Sequence, residues 1–135
     1  MELLRAFKDL DYAYVTIGLG FGICGMLVAR EVLNLKTKIV GVVSAHASDY
    51  AESFSSGCPL APPVSTKIAD GIACRIPELS AWPLILEGIE WFVQISDTEI
   101  AESMLIMYEC THNVCEGLAL LLLPLLYGSH QKIKD

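Results

Sequence analysis

The sequence predicts an α/β domain in which helices cover both faces of a mainly parallel sheet, three layers in all. Two observations carry that reading. Three short apolar runs, at residues 12–17, 38–44 and 91–96, alternate with stretches of helical periodicity, and strands alternating with helices build parallel sheets. The middle run, KIVGVVS, is nearly all apolar, as suits a strand buried on both faces. The chain has 135 residues, enough for one domain with a real core. Residues 1–128 read as that single α/β domain and 129–135 as a polar tail.

The elements follow in order. Residues 3–10 place Leu3, Leu4 and Phe7 on one face and read as the end of a helix. Asp9 and Asp11 lead into the first strand, YAYVTIG, and a glycine-rich turn occupies residues 18–25. A helix covers residues 23–33, with Met26, Leu27, Arg30 and Glu31 at helical spacing and Asn34 ending it. Beyond the second strand, SDYAESFSSG forms a helix closed by Gly57, the residue type that most easily takes a left-handed cap. Pro59, Pro62 and Pro63 mark residues 58–66 as a loop, and ADGIACRIP has no clear period. Residues 79–88 are helical, with Pro83 placed in the first turn because a missing N–H is tolerated there. The third strand, WFVQIS, runs into Ser96-Asp97-Thr98-Glu99. That is a capping-box pattern, a hydroxyl accepting from the N3 amide and a glutamate reaching back. Its helix runs to about Thr111, and a last helix covers residues 114–127. There is no internal repeat and no low-complexity tract.

Composition excludes several function classes. Hydrophobic residues make up 53% and mean hydropathy is +0.50, yet no apolar run reaches the roughly 18 residues that span a bilayer. The best stretch, LALLLLPLLYG, is interrupted by Pro124 and reads as a buried helix. The first residues, MELLRAFKDLDY, mix both charges and do not look like a signal peptide, so no membrane association and a cytoplasmic address are expected. The net charge is −7 and the nine Lys and Arg residues are scattered, which argues against nucleic acid, whose phosphates need clustered cations. Five cysteines at irregular spacing contain no C-x-x-C pair, so neither a disulfide framework nor a zinc site is expected.

The glycine turn carries the chemistry. Gly18, Gly20, Gly22 and Gly25 let the backbone take positive φ and approach a ligand closely. The helix that opens near Gly22 points its free N–H groups at the turn, a geometry suited to an anion, most often phosphate. Two phosphate readings compete. Gly20-Phe21-Gly22-Ile23-Cys24-Gly25 fits the G-x-G-x-x-G dinucleotide pattern. That pattern also wants an acid ending the second strand to hold the ribose hydroxyls. Ser44 stands there, and Asp49 comes too late, inside the next helix. The other reading is a cofactor with one phosphate and no ribose, such as pyridoxal phosphate (PLP).

Four segments in order resemble one family. GLGFGICG is similar to a glycine-rich phosphate loop followed by a helix, and KIVGVVS to the strand leading to GVEP. TKIADGIACRIP resembles T-x-A-D-G-[IV], and VQISDTEIAESM with THNVCEGLAL resembles V-x-V-S-[DE]-x-E-I followed by V-E-G-A-G-A. Together they resemble the C-terminal half of PLP-dependent enzymes of the tryptophan-synthase-β type (fold type II), closest to threonine/serine dehydratases, or ammonia-lyases, and their racemase relatives. The resemblance implies a partial fold type II domain and PLP as cofactor. It implies that Gly18, Leu19, Gly20, Phe21 and Gly22 cradle the phosphate and that Glu116 lines the cofactor pocket. Asp70 and Gly71 would shape the substrate side of the cleft, and the substrate of such relatives is a hydroxy-amino acid.

The departures from the family matter as well. Its Schiff-base lysine belongs to a segment with no counterpart here, and Lys8 in AFKDL stands in the wrong place for it. Phe21 and Leu19 bring side chains where relatives have glycine or serine, Ser44 replaces a glutamate that binds a divalent cation in some relatives, and Leu118 and Leu120 replace small residues. No catalytic residue and no metal site are therefore expected. The chain alone is expected to be an incomplete, inactive form, or a non-catalytic remnant acting as an interaction partner. Three strands would leave an open sheet edge. Exposed apolar surface would then suit a homo-oligomer or a companion chain.

Overall fold

The computed structural model describes residues 2–127, so the tail at 129–135 lies outside the described residues. The first helix, α1, covers Glu2–Ala6 and buries Leu4 while Leu3 and Phe7 stay exposed. It ends four residues before the expected boundary at Leu10, because Asp9 and Asp11 are already in the exposed approach to the sheet. The strands are β1 (Tyr12–Thr16), β2 (Lys38–Ser44) and β3 (Phe92–Ile95), in the order β1-β2-β3, with both pairs parallel. Tyr12 faces Lys38 and Gly41 faces Phe92 across the ladder.

Period-2 alternation along β2 divides the core. Ile39 and Val43 point to one face, where they meet Ile23 and Leu27 of α2 (Phe21–Val32), Tyr50 and Ala51 of α3 (Asp49–Ser56), and Trp82 and Ile85 of α4 (Trp82–Gly88). Val40 and Val42 point to the other, against Val93, Ile95, Ala69 and Ile72, with Ile100 of α5 (Asp97–Thr111) and Leu121. These two clusters on one sheet are the three layers that the strand–helix alternation predicted. Apolar burial on this scale is worth about 25 cal/mol per Å2 and is the main term holding the layers together.

The punctuation residues act as their chemistry requires. Asn34 takes φ 51° just beyond α2, and Gly57 takes φ 73° at the end of α3. Ser96 caps α5: its Oγ accepts from the Glu99 amide at 3.4 Å, and Glu99 Oε2 accepts from the Ser96 amide at 2.9 Å. Replacing Ser96→Ala removes the cap and should cost about 1 kcal/mol, read as a lowered urea midpoint with unchanged slope.

Three boundaries differ from the sequence reading. The helix after β1 begins at Phe21, so Gly22 and Gly25 lie inside it and the turn proper is Gly18-Leu19-Gly20. The helix before β3 begins at Trp82 rather than Leu79, after a turn in which the Ala81 and Trp82 amides donate to the Glu78 carbonyl. The expected last helix over 114–127 is broken. Residues Gly117–Leu120 form a 3-10 turn, and only Pro124–Tyr127 (α6) is helical. Pro124 has no N–H to continue a helix and disfavours helical backbone just before it. Gly117 is also pressed so close to the Ile68 carbonyl that a Cβ there would lie 2.5 Å from its oxygen.

Candidate functional site

In a parallel sheet the segments leaving the C-terminal ends of the strands gather at one edge, where ligands of such folds bind. Here that edge carries the turn after β1, residues 45–49 after β2 and the start of α5 after β3. The turn is shaped by Gly20, whose φ of 92° makes it a left-handed N-cap with no side-chain partner. The first free amides of α2, those of Phe21, Gly22 and Ile23, precede the first closed helical bond, from the Cys24 amide to the Gly20 carbonyl at 3.0 Å. Unsatisfied N–H groups with the positive end of a 12-residue helix behind them suit an anion. The Leu19 and Phe21 side chains are 55% and 67% exposed.

The remaining expected residues meet this turn in a line. A Cβ on Gly18 would lie 3.4 Å from Ile72 Cγ2 and 3.8 Å from the Gly71 carbonyl oxygen. A Cβ on Gly71 would lie 2.5 Å from Glu116 Oε1. The structure therefore brings together Gly18, Gly71 and Glu116, which are far apart in sequence, with Asp70 beginning the same 3-10 turn as Gly71 (Asp70–Ile72). A side chain at 71 would displace the Glu116 carboxylate from where it now rests. Glu116 is exposed and precedes the Gly117–Leu120 turn in an extended conformation, so its carboxylate reaches across to Gly71 from outside any helix.

Several supports were not legible in the sequence. Asp97 grips the segment that carries Asp70 and Gly71: its Oδ1 accepts from Thr66 Oγ1 and its Oδ2 from the Lys67 amide, both at 2.8 Å, and Thr66 Oγ1 accepts from the Ala69 amide. The capping-box pattern in the sequence gives Asp97 no role of its own. Tyr50 is wholly buried beneath the turn, and its hydroxyl donates to the Leu19 carbonyl at 2.9 Å. Nothing in the pattern around Tyr50 signals that role. Beside it, Asp49 is 2% exposed, and Oδ2 has no partner among the described residues. Burial pushes its carboxyl up to about 6, against a downward pull from the amides of Tyr50 and Asp49 itself.

The arrangement separates the two phosphate readings. Ser44 is fully buried and its Oγ accepts from the His46 amide at 3.1 Å, so it presents nothing to a ribose. The donor set is instead main-chain amides around glycine, which fits a single phosphate such as that of PLP. Among the described lysines, Lys8, Lys36 and Lys38 lie at the N-terminal ends of β1 and β2, opposite the turn. Lys67 is exposed in the segment held by Asp97.

A glycine turn feeding a helix at the C-terminal edge of a parallel sheet, with a glutamate and an Asp-Gly pair beside it, makes an α/β domain of the kind whose strand ends receive phosphate ligands. The chain belongs to the pyridoxal-phosphate dependent enzyme family, whose model matches residues 1–135; PLP is the cofactor of that family. It is 30% identical to an L-threonine ammonia-lyase of Geobacter sulfurreducens over 117 residues, 87% of this chain and 29% of that protein. It is 29% identical to a serine racemase of Arabidopsis thaliana over 109 residues, 81% of this chain and 33% of that one. The structure of maize serine racemase superposes with a TM-score of 0.87 at 25% identity, covering 99% of this chain and 40% of that chain. The chain thus spans about a third of the length of the curated relatives it matches.

Proposed function

We propose that residues 1–135 form the phosphate seat and one wall of the active-site cleft of a PLP-dependent enzyme that acts on a hydroxy-amino acid. The observation that carries this is the meeting of the Gly18-Leu19-Gly20 turn, Asp70-Gly71 and Glu116 at one edge of the sheet. Bound PLP supplies an electron sink for a bond broken at the amino-acid Cα. In this reading the amides of Phe21, Gly22 and Ile23 hold the phosphate, Glu116 lines the cofactor pocket above Gly71, and Asp70 and Gly71 shape the substrate side. No described lysine is given a covalent role, because Lys8, Lys36 and Lys38 lie at the far end of the strands. The isolated chain is therefore expected to hold PLP non-covalently and to show no dehydratase turnover. A companion chain or second copy would cover the exposed Leu105, Tyr108, Val114 and Leu126, an amount of apolar surface that favours association.

Titration with phosphate, PLP and NAD tests the seat. Phosphate and PLP should bind weakly and NAD no better than phosphate. Micromolar NAD binding without PLP binding would replace this reading with a dinucleotide one. Phe21→Ser should tighten phosphate binding about fivefold, close to the 1 kcal/mol scale of one hydrogen bond, by replacing the ring with a hydroxyl. Borohydride treatment followed by mass spectrometry should give no stoichiometric adduct at a single lysine. Such an adduct would show that the chain carries its own covalent attachment point.

A further inference from the structure

Tyr50 is the largest fully buried side chain among the described residues. Its hydroxyl lies between two segments far apart in sequence. It donates to the Leu19 carbonyl at 2.9 Å and accepts from the Glu78 amide at 3.0 Å. A Cβ on Gly20 would lie 2.7 Å from the same oxygen and 3.0 Å from Ile85 Cδ1. Glu78 in turn organises the start of α4: its carbonyl accepts from the Ala81 and Trp82 amides, and its carboxylate accepts from the Ser80 amide and hydroxyl. The Tyr50 ring packs against Trp82 of α4 with centroids 6.5 Å apart. Burial pushes the phenol up to about 12, so the hydroxyl keeps its proton and its donor role at any physiological pH.

We propose that Tyr50 is a positioning residue: its hydroxyl pins the Leu19 carbonyl to the Glu78 amide and so holds the anion-binding turn in its receiving shape against the start of α4. A peptide whose carbonyl is fixed has a fixed plane. The Leu19–Gly20 peptide therefore sets Gly20 in its left-handed conformation and directs the Phe21, Gly22 and Ile23 amides outward together. Gly20, as the N-cap of α2, has no side chain of its own to cap the helix. The assignment of an anion to the turn rests on the function proposed above; the strut itself does not.

Tyr50→Phe tests this, because it keeps the ring and removes only the oxygen. Leu19 and Glu78 then lose a buried partner each, a loss that is costly in a dry site. Two readouts are needed, with Val93→Ala, a core change on the opposite face, as the comparison for general loosening. In the ligand-free protein, exchange of the Glu78 amide and of the Cys24 amide, whose bond to the Gly20 carbonyl closes the turn, should quicken at least tenfold in Tyr50→Phe and not in Val93→Ala. Inorganic phosphate, followed by amide shift titration, should bind at least tenfold more weakly to Tyr50→Phe than to Val93→Ala. Unchanged exchange at Glu78 and the turn would overturn the strut, and equal phosphate affinity in the two variants would overturn its positioning role. Wild-type protein that binds neither phosphate nor PLP would sink the phosphate seat, and the exchange rates alone would then decide the strut. If Tyr50→Phe does not fold, Glu78→Pro removes the amide that the hydroxyl accepts from, together with the carboxylate that holds Ser80; phosphate affinity and exchange of the Cys24 amide are then read against Glu78→Ala, which removes the carboxylate alone, and equal values in the two would overturn the proposal.

Discussion

Gly20→Val is expected to destroy the anion-binding turn and to lower stability by about 2–6 kcal/mol. Two costs combine. Gly20 sits at φ 92°, where a β-branched residue is strained by about 1–3 kcal/mol. Its new Cβ would also lie 2.7 Å from Tyr50 Oη, 3.0 Å from Ile85 Cδ1 and 3.3 Å from Ala81 Cβ. None of these can retreat easily, since Tyr50 and Ile85 are wholly buried, and overpacking a tight site typically costs about 1–3 kcal/mol. The companion variant Gly22→Ala isolates the cause. Gly22 lies inside α2 and a Cβ there meets nothing within 4 Å. It should therefore gain about 0.5–1 kcal/mol from helix propensity and keep its amide and its phosphate binding. Urea unfolding and phosphate titration of both variants check this. Equal losses in the two would show that glycine content, and not the Gly20 conformation, matters.

Asp49→Asn is expected to raise stability by about 1–3 kcal/mol at pH 8 and by nothing at pH 4. Burial lifts the Asp49 carboxyl from 3.8 to about 6 in the folded chain. A carboxyl raised on folding binds its proton more tightly in the native state. Its contribution is therefore most favourable below the unfolded value near 3.8 and is lost as pH climbs through about 6. The rise corresponds to about 3 kcal/mol at about 1.4 kcal/mol per tenfold change in proton affinity. Asparagine carries no charge to desolvate, although it leaves a polar group at the same unpartnered position, which reduces the gain. Denaturation at pH 4, 6 and 8 should show the two proteins diverging only as pH rises. A constant difference at all three values would mean that packing, not ionisation, governs the site.

Much of the fold was legible because its signals are local. KIVGVVS reads as a doubly buried strand from its composition alone, and Ser96 with Glu99 reads as a helix start from two residues three apart. Asn34 and Gly57 end helices because each tolerates positive φ with little strain. The misread boundaries are those where a tertiary contact overrides local preference. Residues 114–127 carry enough leucine for a helix, yet Gly117 is committed to Ile68 and Pro124 interrupts the hydrogen-bond ladder. The glycine pattern also overstated the turn, since Gly22 and Gly25 are ordinary helix residues with open space where a Cβ would go.

By itself the sequence determined the three strands and their alternation with helices, because periodicity and caps act within a few residues along the chain; Asp70, Gly71 and Glu116 were singled out by the family resemblance alone. Only the tertiary structure decided how those residues meet. Glu116 comes to rest over Gly71, Asp97 holds the segment before it, and the Tyr50 hydroxyl joins Leu19 to Glu78 across 28 and 31 residues of chain. Contacts of that kind depend on where the parallel sheet places the ends of its strands and on which polar atoms burial leaves without water, and neither is written in any one stretch of the sequence.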